Sequence, residues 1–116
     1  RIDATAEIWS DQGMELDLTM GFPEAAGFRS GTCRRYPAYS LVRRRRLDVD
    51  RLDTPLMDFG MFGGKYRNLT VDDALAEAAR VRDVCRAFGG EFVILHHTGQ
   101  GRGIERQFYE RLLNAV

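Results

Sequence analysis

The clearest periodic pattern of apolar positions in the chain begins at Thr70. From there the string TVDDALAEAARVRDVCRAF sets Val71, Leu75, Ala78, Val81, Cys85 and Phe88 three or four residues apart, the repeat that lines one face of a helix. Thr70 supplies an N-cap, with Asp73 three positions on as a short-armed capping box. Asp72 and Asp73 also suit the positive end of the helix dipole. The spacing predicts a helix of about five turns, stopped by Gly89-Gly90. Glu91 to His97, EFVILHH, is then a continuous apolar run between turns, the pattern of a strand covered on both faces. A last helix is expected from Ile104 to Ala115, turning Ile104, Phe108 and Leu112, with Tyr109 and Leu113, toward one side.

Before Thr70 the periods are shorter. Ala4 to Gln12 reads as the end of a helix stopped at Gly13. Met14 to Leu18 alternates Met-Glu-Leu-Asp-Leu, a period of two that predicts a short strand. Gly21 to Ser40 is glycine-punctuated and reads as a long loop. Loops of that length carry function or are disordered, and Phe22, Phe28, Tyr36 and Tyr39 argue against disorder. The arginine run Arg43 to Arg46, followed by Asp48, Asp50 and Asp53, would form a solvated edge if it lay in a strand. Leu56 to Phe62 reads as a buried strand and its following loop, broken by Gly63-Gly64. Helix, two-glycine turn, buried strand, helix is the repeat of an α/β protein with parallel strands. It fits a barrel segment or one side of an open sheet.

Composition narrows the function classes. At 116 residues the chain is one domain in size, enough for one modest core. An apolar fraction of 44% and a charged fraction of 29% describe globular material. With 17 basic and 17 acidic side chains the formal charge is zero, so nothing global draws it to nucleic acid or a membrane surface. No apolar run approaches the ~20 residues of a membrane span, and no signal pattern opens the chain. Ile2 to Met14 already reads as the inside of a folded unit behind Arg1, so residues 1–116 are expected to be the C-terminal piece of a larger domain. Cys33 and Cys85 are too few for a disulfide scaffold. Cys85 falls in the apolar stripe as a small buried hydrophobe, and a reduced, cytoplasmic setting is expected.

The strongest candidate for chemistry is His96-His97, at the C-terminal end of the Glu91 to Leu95 run, where ligands gather in parallel α/β folds. Neighbouring strand residues point to opposite faces, so at most one of the two should face a given pocket. Either could serve in proton transfer or metal binding, or simply pack at a strand end. Thr98, Gly99 and Gly101 follow as a loop that could line a pocket. Arg29, in GFRSGTC, could hold a carboxylate or anion or be a plain surface arginine. Asp17 could accept backbone N–H groups in the turn before Thr19, and Asp58 could cap a turn or reach a pocket. Arg34, Arg35 and Arg43 to Arg46, with tyrosines nearby, could contact phosphate, but the balancing acids and the lack of a recognition motif weigh against nucleic acid.

Taken in order, LDLTMGFPEAAGFRSGTCRRYPAYSL, TPLMDFGMF and LTVDDALAEAARVRDVCRAFGGEFVILHH resemble a branch of the polysaccharide deacetylase-like proteins, the NodB-homology (β/α) barrels. The resemblance runs from about Glu7 to Leu113. It implies a partial barrel of the glycoside hydrolase and deacetylase type, with parallel strands and flanking helices. The implied activity is metal-assisted removal of N-acetyl or similar acyl groups from a polysaccharide or amino sugar. Arg29 resembles the third-motif arginine that positions the catalytic carboxylate. Met57-Asp58 resembles the fourth motif, a wall of the groove. His97 resembles the fifth-motif histidine, general acid toward the leaving amine, and His96 stands where the branch has tryptophan. The expected catalytic residues are therefore Arg29, Asp58 and His97, with Tyr36, Tyr39 and His96 binding substrate. Backbone N–H groups from Gly31 to Tyr36 would face the oxyanion.

Three departures qualify the match. The fourth-motif segment is short, and Thr98 replaces the branch's asparagine. The motifs that supply the base and the metal ligands would lie before Arg1, so no metal ligand is expected in these residues. A divalent, zinc-like metal is expected only with the N-terminal part of the barrel, the implied partner of this piece. A catalytically inactive relative that binds a glycan or protein is the rival within the family. An arginine-rich polyanion-binding module is the rival outside it.

Overall fold

The computed structural model describes residues 2–97 and 103–115. The chain starts with helix α1 (Ile2–Asp11). Gly13, at φ 74°, ends it as expected, and Met14 N closes the last turn on Trp9 O at 2.9 Å. Strand β1 (Leu16–Asp17) forms the centre of the predicted Met14 to Leu18 strand. Strands β2 (Tyr36–Ser40) and β3 (Arg45–Arg51) follow, and the three form one sheet in the order β1-β3-β2. Ala6 from α1 packs with Ala38, Leu47 and Val49 in a small core.

Three expectations for this half change. The long loop from Gly21 is shorter than read, because its last five residues, Tyr36 to Ser40, are β2. Pro37 and the glycines earlier in the loop mask a strand whose burial nonetheless alternates at Ala38 and Ser40. The arginine run is not a sheet edge. Arg43 and Arg44 turn the chain between β2 and β3, with Arg44 at φ 50°, while Arg45 and Arg46 open the central strand. The strands are also not all parallel: β1 and β3 are, but β2 runs antiparallel to β3, as a short turn between neighbours requires.

The second half contains strand β4 (Leu56–Met57), helix α2 (Asp58–Phe62), helix α3 (Val71–Ala87), strand β5 (Ile94–Leu95) and helix α4 (Gly103–Asn114). β4 and β5 pair in parallel, Leu56 with Ile94 and Met57 with Leu95. The larger core lies here: Leu56, Met61, Phe62, Ala74, Ala78, Val81, Phe108 and Leu112. Phe62 and Phe108 meet edge to face at 5.4 Å, a favoured aromatic geometry. Gly60 lies against the Pro23 carbonyl, where any side chain would collide with backbone. Its lack of a Cβ lets α2 close on the Gly21 loop.

Helix α3 follows the sequence closely. Thr70 Oγ1 accepts Asp73 N at 3.1 Å and donates to the Asp73 carboxylate at 2.8 Å. Ala74, Ala78, Val81 and Cys85 are its buried face, whereas Phe88 is 68% exposed. The run expected as one covered strand is reduced to Ile94–Leu95, with Leu95 40% exposed. Tyr109 and Leu113 are exposed on α4, leaving Phe108 and Leu112 as its buried positions. The residues after Met57 form the helical turn α2 instead of a loop. The architecture is therefore mixed α/β with a three-stranded and a two-stranded sheet. Among the described residues no closed barrel forms, and no helix is long and apolar enough to cross a membrane.

Candidate active site

Parallel pairing of β4 with β5 brings their carboxyl ends together, so the residues just beyond Met57 and Leu95 converge. Those residues are Asp58 on one side and His96 and His97 on the other. Asp58 is 2% exposed, and an ionised carboxylate at that depth must be hydrogen-bonded. Its Oδ1 accepts Phe59 N at 2.7 Å, and its Oδ2 accepts the backbone N–H of His97 at 2.7 Å. The His97 ring completes the set, with Nδ1 2.5 Å from Oδ1.

An ionised carboxylate only accepts, so Nδ1 of His97 carries the hydrogen in this pair. That tautomer leaves Nε2 as the ring atom able to take or give a proton. The His97 side chain is 39% exposed, and Phe59 holds it edge to face at 5.0 Å and 83°. A buried acceptor beside an oriented, partly exposed imidazole is an arrangement that can serve acid-base chemistry.

His96 departs from expectation. It stacks on Tyr109 at 4.6 Å and 12°, so one face of its ring meets α4. Its Nδ1 lies 3.5 Å from Asp58 Oδ2 and is buried without a hydrogen-bond partner. Both imidazoles thus approach one carboxylate. The strand rule that would send them to opposite faces does not apply, because β5 ends at Leu95. Thr98, Gly99 and Gly101 lie outside the described residues.

The other candidates do not join this cluster. Arg29 is exposed, donates to Gly21 O at 3.3 Å and lies over the Phe22 ring at 5.9 Å. It braces its own loop and makes no ion pair among the described residues. Tyr36 and Tyr39 stand on β2, in the other sheet. The Tyr36 hydroxyl is 2.5 Å from Ser30 Oγ, and Ser30 N donates to the buried Asp53 at 2.5 Å. Tyr39 is 52% exposed. Within Gly31 to Tyr36 the N–H of Gly31 is taken by Phe28 O and that of Arg34 by Thr32 Oγ1.

Asp17 has the turn role expected of it, accepting Thr19 N at 2.9 Å. It also carries a partner the sequence did not point to, Arg51 Nε at 3.1 Å. Two arginines of the basic stretch are locally paired. Arg43 grips Asp11 through two bonds at 2.7 and 2.6 Å, which holds the Asp11 carboxyl below the ordinary aspartate range. Arg35 grips Glu91 at 2.6 and 2.8 Å and lowers that carboxyl likewise.

Asp58, His96 and His97 are not placed as a group that could hold a zinc-like ion. More broadly, among the described residues no group of three His, Cys, Asp or Glu is placed to hold a metal. Compared with protein-family models, with curated proteins and with solved structures, the chain matches none.

Proposed function

We propose that this chain is part of a carbohydrate-active hydrolase that removes N-acetyl or similar acyl groups from a polysaccharide, and that its two sheets belong to a deacetylase-like partial barrel. The observation that carries the reading is the buried Asp58 bonded to both the backbone N–H and the ring of His97. The order of motifs from Leu16 to His97 supports it, since the two residues that resemble the fourth and fifth deacetylase motifs are the ones that meet.

In this reading Asp58 fixes the tautomer and angle of His97, and Nε2 of His97 protonates the departing sugar amine as the C–N bond breaks. Arg29 stands on the Gly21 loop, where its guanidinium donates to Gly21 O. The attacking water and its activation belong to the N-terminal part of the barrel implied by the resemblance. The test is acetate release from an N-acetylated oligosaccharide by the full natural protein. His97→Gln should lower turnover by about 10²- to 10⁴-fold with the circular dichroism spectrum unchanged. Asp58→Asn should lower it too, by losing the tautomer. A folded His97→Gln protein that turns over at the wild-type rate would refute the reading.

A further inference from the structure

The only two cysteines of the chain, far apart in sequence, are brought to one place. Cys33 belongs to the Gly21 loop and Cys85 to the last turn of α3, and both are buried, at 5% and 2% exposure. The turn after α3 binds them together. Gly90 N donates to Cys85 O at 2.8 Å, Glu91 N donates to Cys33 O at 2.9 Å, and the Cys85 thiol reaches Glu91 O at 3.4 Å. Gly90 sits directly against the Cys33 sulfur and carbonyl, so no residue with a side chain fits between the loop and the helix end. Burial, together with the nearby Cys33, pushes the Cys85 thiol up to about 11.

The pair is also reachable. A pocket of about 270 Å³ opens beside it, lined by Phe28, Gly31, Thr32, Cys33, Arg34, Val84 and Phe88. Cys33 lines that pocket and Cys85 does not. A small oxidant therefore meets Cys33 first, with Cys85 behind it.

We propose that Cys33 and Cys85 form a reversible intramolecular disulfide, Cys33 meeting a small hydroperoxide and Cys85 resolving the product. In the first step the Cys33 sulfur attacks the peroxide oxygen, the O–O bond breaks, and Cys33 becomes a sulfenic acid as one water leaves. In the second the Cys85 sulfur attacks the Cys33 sulfur. Its proton leaves with the displaced hydroxyl as a second water, and the S–S bond forms. Two thiols lose two electrons and two protons, and hydrogen peroxide is reduced to two waters. A dithiol reductant reverses the result. The bond would tie the Gly21 loop covalently to the end of α3. Because the Cys85 thiol holds its proton tightly, the second step should quicken about tenfold per pH unit below pH 11.

The experiment treats the full natural protein with hydrogen peroxide, blocks remaining thiols under denaturing conditions and measures the intact mass. The expected product is a monomer lighter by two hydrogen atoms, with no blocked thiol at either position and one cross-linked peptide containing Cys33 and Cys85. In Cys85→Ser, a 1,3-dione probe should label Cys33, and in Cys33→Ser the remaining cysteine should stay reduced. If either variant fails to fold, the wild-type cross-link still decides, compared with the same treatment in denaturant, where it should form more slowly. Recovery of both thiols, a cross-link only between molecules, or over-oxidised Cys33 beside reduced Cys85 would each overturn the proposal.

Discussion

Asp17 and Asp58 occupy equivalent places in the two halves of the molecule. Each lies at the carboxyl end of a short strand paired in parallel with a neighbour, β1 with β3 and β4 with β5. Each is almost wholly buried, at 1% and 2% exposure, and each accepts a backbone N–H close by in sequence. They differ in the side chain opposite. Asp17 meets Arg51 Nε at 3.1 Å, and Asp58 meets His97 Nδ1 at 2.5 Å. An arginine stays charged at any pH a protein survives, so the first pair has no proton to exchange and serves as a lock between strands. An imidazole changes charge near neutrality, so the second can move a proton. Burying a carboxylate at a strand end is therefore not by itself a catalytic feature. The partner decides whether the position holds the fold or does chemistry.

If that contrast is right, removing the two carboxylates should cost different amounts. Asp17→Ala takes the carboxylate away from the Arg51 guanidinium, whose side chain is only 12% exposed, and leaves Thr19 N without its acceptor. Breaking a buried pair in this way costs about 3–5 kcal/mol, read as a large fall in the urea midpoint. Asp58→Ala strands no permanent charge, so its loss should be the smaller, set by the N–H groups of Phe59 and His97 left unmet. Equal losses measured at neutral pH would break the comparison. A loss for Asp17→Ala that Arg51→Met largely reverses would sharpen it, because the charge of Arg51 would then be the cause.

The two sites were unequally legible in the sequence. His97 and Asp58 each drew attention separately, one for its place after an apolar run and one for its motif. Their pairing depends on β4 and β5 lying side by side with Met57 opposite Leu95, a register that local pattern does not encode. The Asp17–Arg51 lock went unseen for a related reason. The alternation Met-Glu-Leu-Asp-Leu would turn the leucines inward, yet Asp17 is buried and Leu18 is 44% exposed. Helix α3 was plain because its cap, stripe and stop are all local. Strand β2 was hidden by Pro37 and by the glycines before it. The cysteine pair was missed because sequence distance says nothing about two segments that meet at one turn. A small residue such as Gly90 between cysteine-bearing segments is a usable hint only once the fold is known.

A third pair separates the effect of the partner from the effect of burial. Arg35 and Glu91 repeat the arginine-carboxylate chemistry of Arg51 and Asp17, but their side chains are 49% and 46% exposed. Water and salt screen such a pair, and holding two long side chains in one geometry offsets much of its attraction. Glu91→Gln should therefore have the smallest effect of the substitutions considered, a slight fall in the urea midpoint that shrinks further in high salt. Its pH dependence has a definite sign. The hydrogen bonds from Arg35 hold the Glu91 carboxyl below its ordinary value of 4.5, so the stability it contributes is complete above that value. It is lost as the pH falls through the lowered folded value. Wild type and Glu91→Gln should differ at neutral pH and converge in acid. A difference as large as that for Asp17→Ala would mean that the arginine, not the burial, makes a carboxylate structural here.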